Sequence, residues 1–161
     1  MNAQPKARYL EPDWFTRNVF NRSVRALTRA GLSVAGSRVL RIRGRKSGEW
    51  RETAVNLLTL DGDRFLISPR GTTQWVRNLR ASGDGELRVG RRTEVFSATE
   101  LPDDVKLPIL REYLRRWGWE VSQFFEGIDK NSTDEQVTAI APGFPVFRLA
   151  ATAPGPDTAA P

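Results

Sequence analysis

Two turns in this chain are too short to do anything but send it straight back. The stretches Arg51–Leu60 and Arg64–Ser68 flank Asp61-Gly62-Asp63, and Glu86–Val89 and Arg92–Glu100 flank Gly90-Arg91. Each stretch mixes β-branched and apolar residues with polar ones, as strands do. A parallel connection needs a crossover of a dozen or more residues, whereas a turn of this length closes an antiparallel hairpin. Ser37–Arg43 adds a strand with Val39, Leu40 and Ile42 among arginines, and Gly143–Ala150 adds a last one carrying Phe144, Val146, Phe147 and Leu149. About six antiparallel strands, closely spaced, predict a small barrel with flanking helices, an α+β fold.

Helical periodicity lies at both ends. Phe15, Val19, Phe20, Val24, Leu27 and Leu32 fall on one face of a predicted helix from Pro12 to Leu32, with arginines opposite. That helix either packs on the sheet with a solvated basic back or touches an anionic membrane surface. A short helix is predicted over 73–81, another over 101–117 with Pro102 near its start, and a further short one over 119–127. Residues 1–11 read as a flexible N-terminus, 12–150 as a single domain, and 151–161, rich in Pro and Ala, as a disordered tail.

The chain contains neither Cys nor His. Disulfides, Cys/His metal sites, thiol nucleophiles and imidazole bases are excluded, and no metal site is expected. Lys and Arg number 25 against 19 Asp and Glu, a net charge of +6, so an anionic partner is implied. No apolar run of membrane-spanning length or secretory h-region is present, which makes the cytoplasm the expected compartment, with peripheral attachment to the membrane's inner face open through the basic helix.

The charge concentrates in one loop. Gly44-Arg45-Lys46-Ser47-Gly48 lies between two strands, with Arg43 and Arg51 beside it. Glycines let backbone N–H groups approach a ligand, and Arg45, Lys46 and Ser47 offer charge and a hydroxyl to a phosphate. The loop is not a Walker motif, because Arg45 stands where that motif has Gly before its Lys, and a strand follows instead of a helix. A hydrated basic turn with no ligand is the competing reading.

Two further stretches carry chemistry. In Ser68-Pro69-Arg70-Gly71 through Trp75-Val76-Arg77-Asn78-Leu79, Trp75 and Asn78 share a helix face. They either close over a planar heterocycle or are a core Trp beside a polar helix residue. Tyr113, Trp117, Trp119, Phe124 and Phe125 are dense enough to line an apolar pocket for a flat ligand, or to be core.

G-R-K-S-G at 44–48 with Arg51 three residues on, S-P-R-G at 68–71, and W-V-R-N-L at 75–79 followed by Arg80-Ala81 stand in a characteristic order and spacing. Together they resemble the deazaflavin-dependent nitroreductase family of actinobacteria, within the flavin/deazaflavin oxidoreductases of split β-barrel fold. The resemblance implies coenzyme F420 as cofactor, with FMN as the alternative. It implies that Arg45, Lys46, Ser47 and Gly48 contact the cofactor phosphate with Arg51 assisting. Thr53 and Ala54 would run under the ring, Ser68, Pro69 and Arg70 would border it, and Trp75, Val76 and Asn78 would meet its acidic tail and ring edge. Asn56, Trp117, Trp119, Phe124 and Phe125 would form the substrate pocket.

The implied activity is hydride transfer from reduced F420 to a small electrophilic acceptor such as a nitro compound, a quinone or an enone. No catalytic residue is assigned; water or the Tyr113 hydroxyl would supply the proton. Ala54 stands where family members often have Pro, and Trp119, Phe124 and Phe125 replace C-terminal tyrosines, so the resemblance carries cofactor binding further than acceptor identity. A non-catalytic F420 or flavin carrier is the second reading. A nucleic-acid-binding barrel using Trp50 and Trp75 as stacking platforms is the third, disfavoured because the charge gathers in one turn, and no nucleic-acid partner is expected. A homodimer is left open.

Overall fold

The computed structural model describes residues 37–121, 124, 125 and 127–152, with only the backbone for 119–121. The predicted helix over 12–32 and its membrane contact, the N-terminal 1–11 segment and the tail beyond Thr152 lie outside the described residues.

Six strands form a closed antiparallel barrel: β1 (Ser37–Arg43), β2 (Trp50–Leu60), β3 (Asp63–Ile67), β4 (Asp84–Val89), β5 (Arg92–Glu100) and β6 (Val146–Ala151). Their order around the barrel is β1-β2-β3-β6-β5-β4. The two short turns do what their length requires, pairing Leu60 with Asp63 and Val89 with Arg92. Helix α1 (Gln74–Ser82) connects β3 to β4, while α2 (Leu107–Val121) and α3 (Asp134–Ile140) lie between β5 and β6.

Strand alternation separates two cores. Leu40, Ile42, Leu57, Leu66, Leu87, Phe96, Phe147 and Leu149 fill the barrel, and Val76 and Leu79 of α1 enter the same cluster. Leu58, Phe65, Ile67 and Val146 point to the other side, where Leu110, Tyr113, Leu114 and Trp117 of α2 and Val137 of α3 meet them. Each buried Leu, Ile or Phe stabilises the fold by about 1.5–3 kcal/mol relative to exposure.

The barrel has chemically distinct ends. At the end bearing the two hairpin turns, Arg64 and Glu94 lie on the strand faces that continue Leu66 and Phe96, and Arg64 Nη1 donates to Glu94 Oε2 at 2.7 Å. This hydrogen bond holds the Glu94 carboxyl below the usual carboxylate range, and burial opposes it. At the opposite end lie the β1–β2 loop, the turn after β3 and α1.

The helices differ from their predicted extents. The stretch 101–106 is not helical throughout: Asp103–Val105 form a short 3-10 turn, and α2 begins at Leu107. Pro108 explains this, since proline is tolerated in a first turn but would break a helix begun at 101. Gly118 does not stop α2, which continues to Val121, so residues 119–121, predicted to open a separate helix, belong to α2 instead. Helix α3 was not predicted, although Thr133 and Gln136 form a reciprocal capping box at its start. Residues 141–143 make a 3-10 turn, which delays β6 to Val146, and β6 runs on to Ala151.

Candidate cofactor-binding site

The β1–β2 loop folds on itself before it meets anything else. Gly44 N–H donates to the Glu49 carbonyl at 2.8 Å and Gly48 N–H to the Gly44 carbonyl at 2.8 Å. Ser47 Oγ accepts from the Glu49 N–H at 3.2 Å. Gly48 has φ of 71°, a left-handed conformation that side chains with a Cβ resist. A Cβ at Gly44 would lie 2.9 Å from Ser47 Oγ. Arg43 Nη1 donates to the Gly48 carbonyl at 3.0 Å, and its guanidinium lies 4.2 Å from the centre of the Trp50 ring.

The folded loop then docks on α1. Asn78 is 5% exposed, and a buried amide must be answered. Its Oδ1 accepts from the Arg45 N–H at 3.2 Å and from Arg45 Nη1 at 2.9 Å. Arg45 Nη1 also donates to Gln74 Oε1 at 2.9 Å. Gln74 and Asn78 are four residues apart and share a helix face, so one arginine spans a full turn of α1. Residues 33 positions apart in the chain are thereby joined through one side chain.

The start of α1 faces this corner. A tight turn leads into it: Ser68 Oγ, fully buried, donates to the Gly71 carbonyl at 2.6 Å, and Thr73 N–H donates to the same carbonyl at 2.9 Å. The first helical bond runs from Arg77 N–H to the Thr73 carbonyl, leaving the N–H groups of Gln74, Trp75 and Val76 without intrahelical acceptors. Thr73 occupies the N-cap, but its side chain makes no cap hydrogen bond, and its Oγ1 is buried without a partner among the described residues. The first turn carries no acid. A helix N-terminus whose first N–H groups lack intrahelical acceptors, contacted by the loop that carries Lys46 and Ser47, is suited to an anion.

The other predicted site residues fall into three places. Arg51 is exposed at the start of β2, 3.8 Å from Glu49. Thr53 and Ala54 follow it, paired with Leu40 and Val39, and Asn56 pairs with Ser37; all three are half-buried. By alternation Thr53 shares the barrel face of Val55 and Leu57, whereas Ala54 and Asn56 share the face of Leu58, toward α2. Pro69 and Arg70 are half-buried in the turn after β3, and the Arg70 guanidinium lies 5.0 Å from the Phe124 ring centre. Trp75 is half-buried against Phe147, with ring centres 5.9 Å apart, and Val76 is fully buried in the barrel core.

The aromatic cluster is a packed core. Tyr113, Trp117 and Phe125 are 2%, 2% and 0% exposed. Tyr113 meets Trp117 at 5.2 Å and Phe125 at 6.3 Å, and Phe125 stacks on Phe144 at 4.3 Å. Phe124 is half-buried at the margin of this core, and the side chain of Trp119 lies outside the described residues. The structure therefore brings the loop, the turn and α1 together, and sets Tyr113, Trp117 and Phe125 apart from that corner. Two residues that sequence reasoning did not select, Thr73 and Gln74, stand at the corner's centre. The legible signals were a threonine immediately before the helix and a Gln four residues ahead of Asn78.

The fold is shared with several solved structures. A protein of unknown function, Atu2129 from Agrobacterium tumefaciens, matches with TM-score 0.55 and 18% identity over 94% of this chain. This chain spans only 60% of that protein. A domain-swapped dimer matches with TM-score 0.53 and 14% identity over 86% of this chain and 98% of its own. An F420-H2 dependent reductase, FDR-A, matches with TM-score 0.51 and 14% identity over 71% of this chain and 94% of its own. No curated protein matches by sequence. The family model for F420H(2)-dependent quinone reductase matches residues 14–131, which contain the loop, the turn and α1, and the chain belongs to that family of oxidoreductases, whose cofactor is reduced coenzyme F420.

Proposed function

We propose that this chain is an F420H2-dependent reductase acting on a small electrophilic organic acceptor of the quinone, enone or nitro class. The observation that carries this reading is the docking of the basic loop onto α1 through Arg45, Gln74 and Asn78. It brings the loop that carries Lys46 and Ser47 onto the helix whose N-terminus favours an anionic group. The donor set fits the cofactor: F420 carries a phosphate and carboxylates, while this corner offers N–H groups, a cation and the unanswered hydroxyl of Thr73.

When bound, the reduced cofactor supplies the hydride. The chain's own residues bind and orient. Lys46, Ser47, Gly48 and the first-turn N–H groups of α1 would hold the phosphate, with Arg51 adding positive charge from the start of β2. Arg45 holds the loop in register with the helix. The backbone at Thr53 and Ala54 would support the ring, and Ser68, Pro69 and Arg70 would bound its edge. Trp75 would meet the ring edge, while Val76 anchors α1 in the barrel so that these groups keep their places. Asn56 and Phe124 would face the acceptor, with Trp117 and Phe125 as the packed wall behind them. The burial of Tyr113 favours water as the proton source.

A fluorescence titration with F420 and with FMN tests the cofactor assignment. Consumption of reduced F420 with menadione or cyclohexenone tests turnover. Saturable F420 binding with turnover of at least one acceptor is expected. No binding of either cofactor at millimolar concentration would end the proposal, and binding without turnover on any acceptor would make the chain a carrier. The domain-swapped dimer among its structural neighbours supports a homodimer for this chain as well, which light scattering would measure.

A further inference from the structure

The turn after β3 is closed on itself and tied to the residue that leads into β6. Ser68 N–H donates to the Pro145 carbonyl at 2.9 Å, and Ser68 Oγ donates to the Gly71 carbonyl at 2.6 Å. Gly71 N–H returns to the Ser68 carbonyl at 3.3 Å, with Gly71 in a left-handed conformation at φ of 83°. Pro69 fixes its own φ within this turn. Arg70 therefore projects from backbone that has little freedom to move.

The chain that follows α2 comes to meet it. Phe125 is fully buried and stacks on Phe144 at 4.3 Å, which anchors this stretch in the outer core. Its neighbour Phe124 is half-buried at the margin, where the Arg70 guanidinium lies 5.0 Å from the ring centre. That is within the ~6 Å over which a cation is drawn to an aromatic face. A planar, weakly hydrated guanidinium stacks on a ring as an ammonium does not. The buried neighbour fixes where the Phe124 backbone lies, and the contact on its face fixes how the ring is turned.

We propose that Arg70 is a positioning residue for the acceptor: from the fixed turn it holds the Phe124 ring as a wall on which flat aromatic acceptors stack, so that the protein favours them over small non-aromatic ones. This rests on the functional reading above and adds to it a role for Arg70 and a selectivity.

The test is steady-state kinetics of the full chain at saturating reduced F420, comparing menadione, a fused-ring quinone, with cyclohexenone, which has no aromatic ring. Arg70→Ala should raise the KM of menadione about twofold to fivefold relative to that of cyclohexenone, the size of one cation–π contact. Phe124→Leu should shift the ratio by as much, and the double variant no further, because the two side chains act as one unit. Arg70→Lys, which keeps the charge without the planar fork, should recover part of the ratio. Any effect of Arg70 on the bound cofactor falls on both acceptors alike and cancels in the ratio. If Arg70→Ala does not fold in a thermal melt, Arg70→Lys and Phe124→Leu carry the same comparison. An unchanged ratio in the single variants, or additive shifts in the double variant, overturns the role of Arg70 while leaving the cofactor reading standing. Absence of turnover by wild type on either acceptor overturns both.

Discussion

At the residue scale, Asn78 is the joint of the site. Its buried carbonyl oxygen answers both the backbone and the side chain of Arg45. Asn78→Ala removes that acceptor and should destabilise the fold by about 1–2 kcal/mol, read from a urea midpoint, because hydrogen bonds to charged groups exceed neutral ones. F420 affinity should fall in parallel as the loop loosens. Glu94 makes a prediction of a different kind. Its carboxyl is held below the ordinary range by the Arg64 hydrogen bond, so ionised Glu94 favours the folded state. That contribution is complete above the ordinary glutamate pKa and fades as pH falls through the lowered one. Glu94→Gln should therefore flatten the loss of melting temperature as pH falls below the ordinary glutamate value near 4.3. A variant whose acid limb is as steep as wild type would show that Arg64 does not hold the carboxyl in its charged form.

At the element scale, α1 has two faces with separate duties. Val76 and Leu79 close one end of the barrel, and Gln74 and Asn78 receive the loop. Packing thus fixes the helix whose polar face builds the site. Helix α3 is shorter and depends more on its cap. Thr133 Oγ1 accepts from the Gln136 N–H at 3.2 Å, and Gln136 Oε1 accepts from the Thr133 N–H at 2.8 Å. Thr133→Ala should cost about 1 kcal/mol in chemical denaturation, with Val137 losing order against the outer core. Lys106 shows how such pieces are tied together: it is 3% exposed, and its Nζ donates to the Ala141 carbonyl at 3.1 Å and pairs with Asp103 at 2.7 Å. The start of α2 and the end of α3 are linked through this one cation.

At the scale of the molecule, closure of the barrel decides where function can sit. One end holds the hairpin turns and the Arg64–Glu94 pair, and the other gathers the loop, the turn after β3 and α1. Combining Arg45→Ala with Lys46→Ala should weaken F420 binding at least about tenfold, since both a charge-assisted contact and the loop's anchor are lost. Circular dichroism should show the barrel intact, because neither side chain belongs to either core. Unchanged affinity would remove the phosphate assignment from this loop.

Local chemistry sufficed for much of this. The two short turns demanded antiparallel hairpins, the 2-residue alternation marked the strands, and glycines framing Arg45, Lys46 and Ser47 marked a loop able to meet an anion. The capping box of α3 is equally local, and Pro108 forbids a helix starting at 101. Other facts had no local signature. Arg45 and Lys46 are adjacent basic residues in one loop, yet the first is engaged by α1 and the second has no side-chain partner among the described residues, because partners 29 and 33 residues away arrive only when the barrel closes. Tyr113 and Trp117 read equally well as pocket or core until packing placed them against Phe125 and Phe144. Periodicity and turn chemistry are properties of neighbours along the chain; which charge is answered, and which ring is buried, depends on distances that only the folded barrel sets.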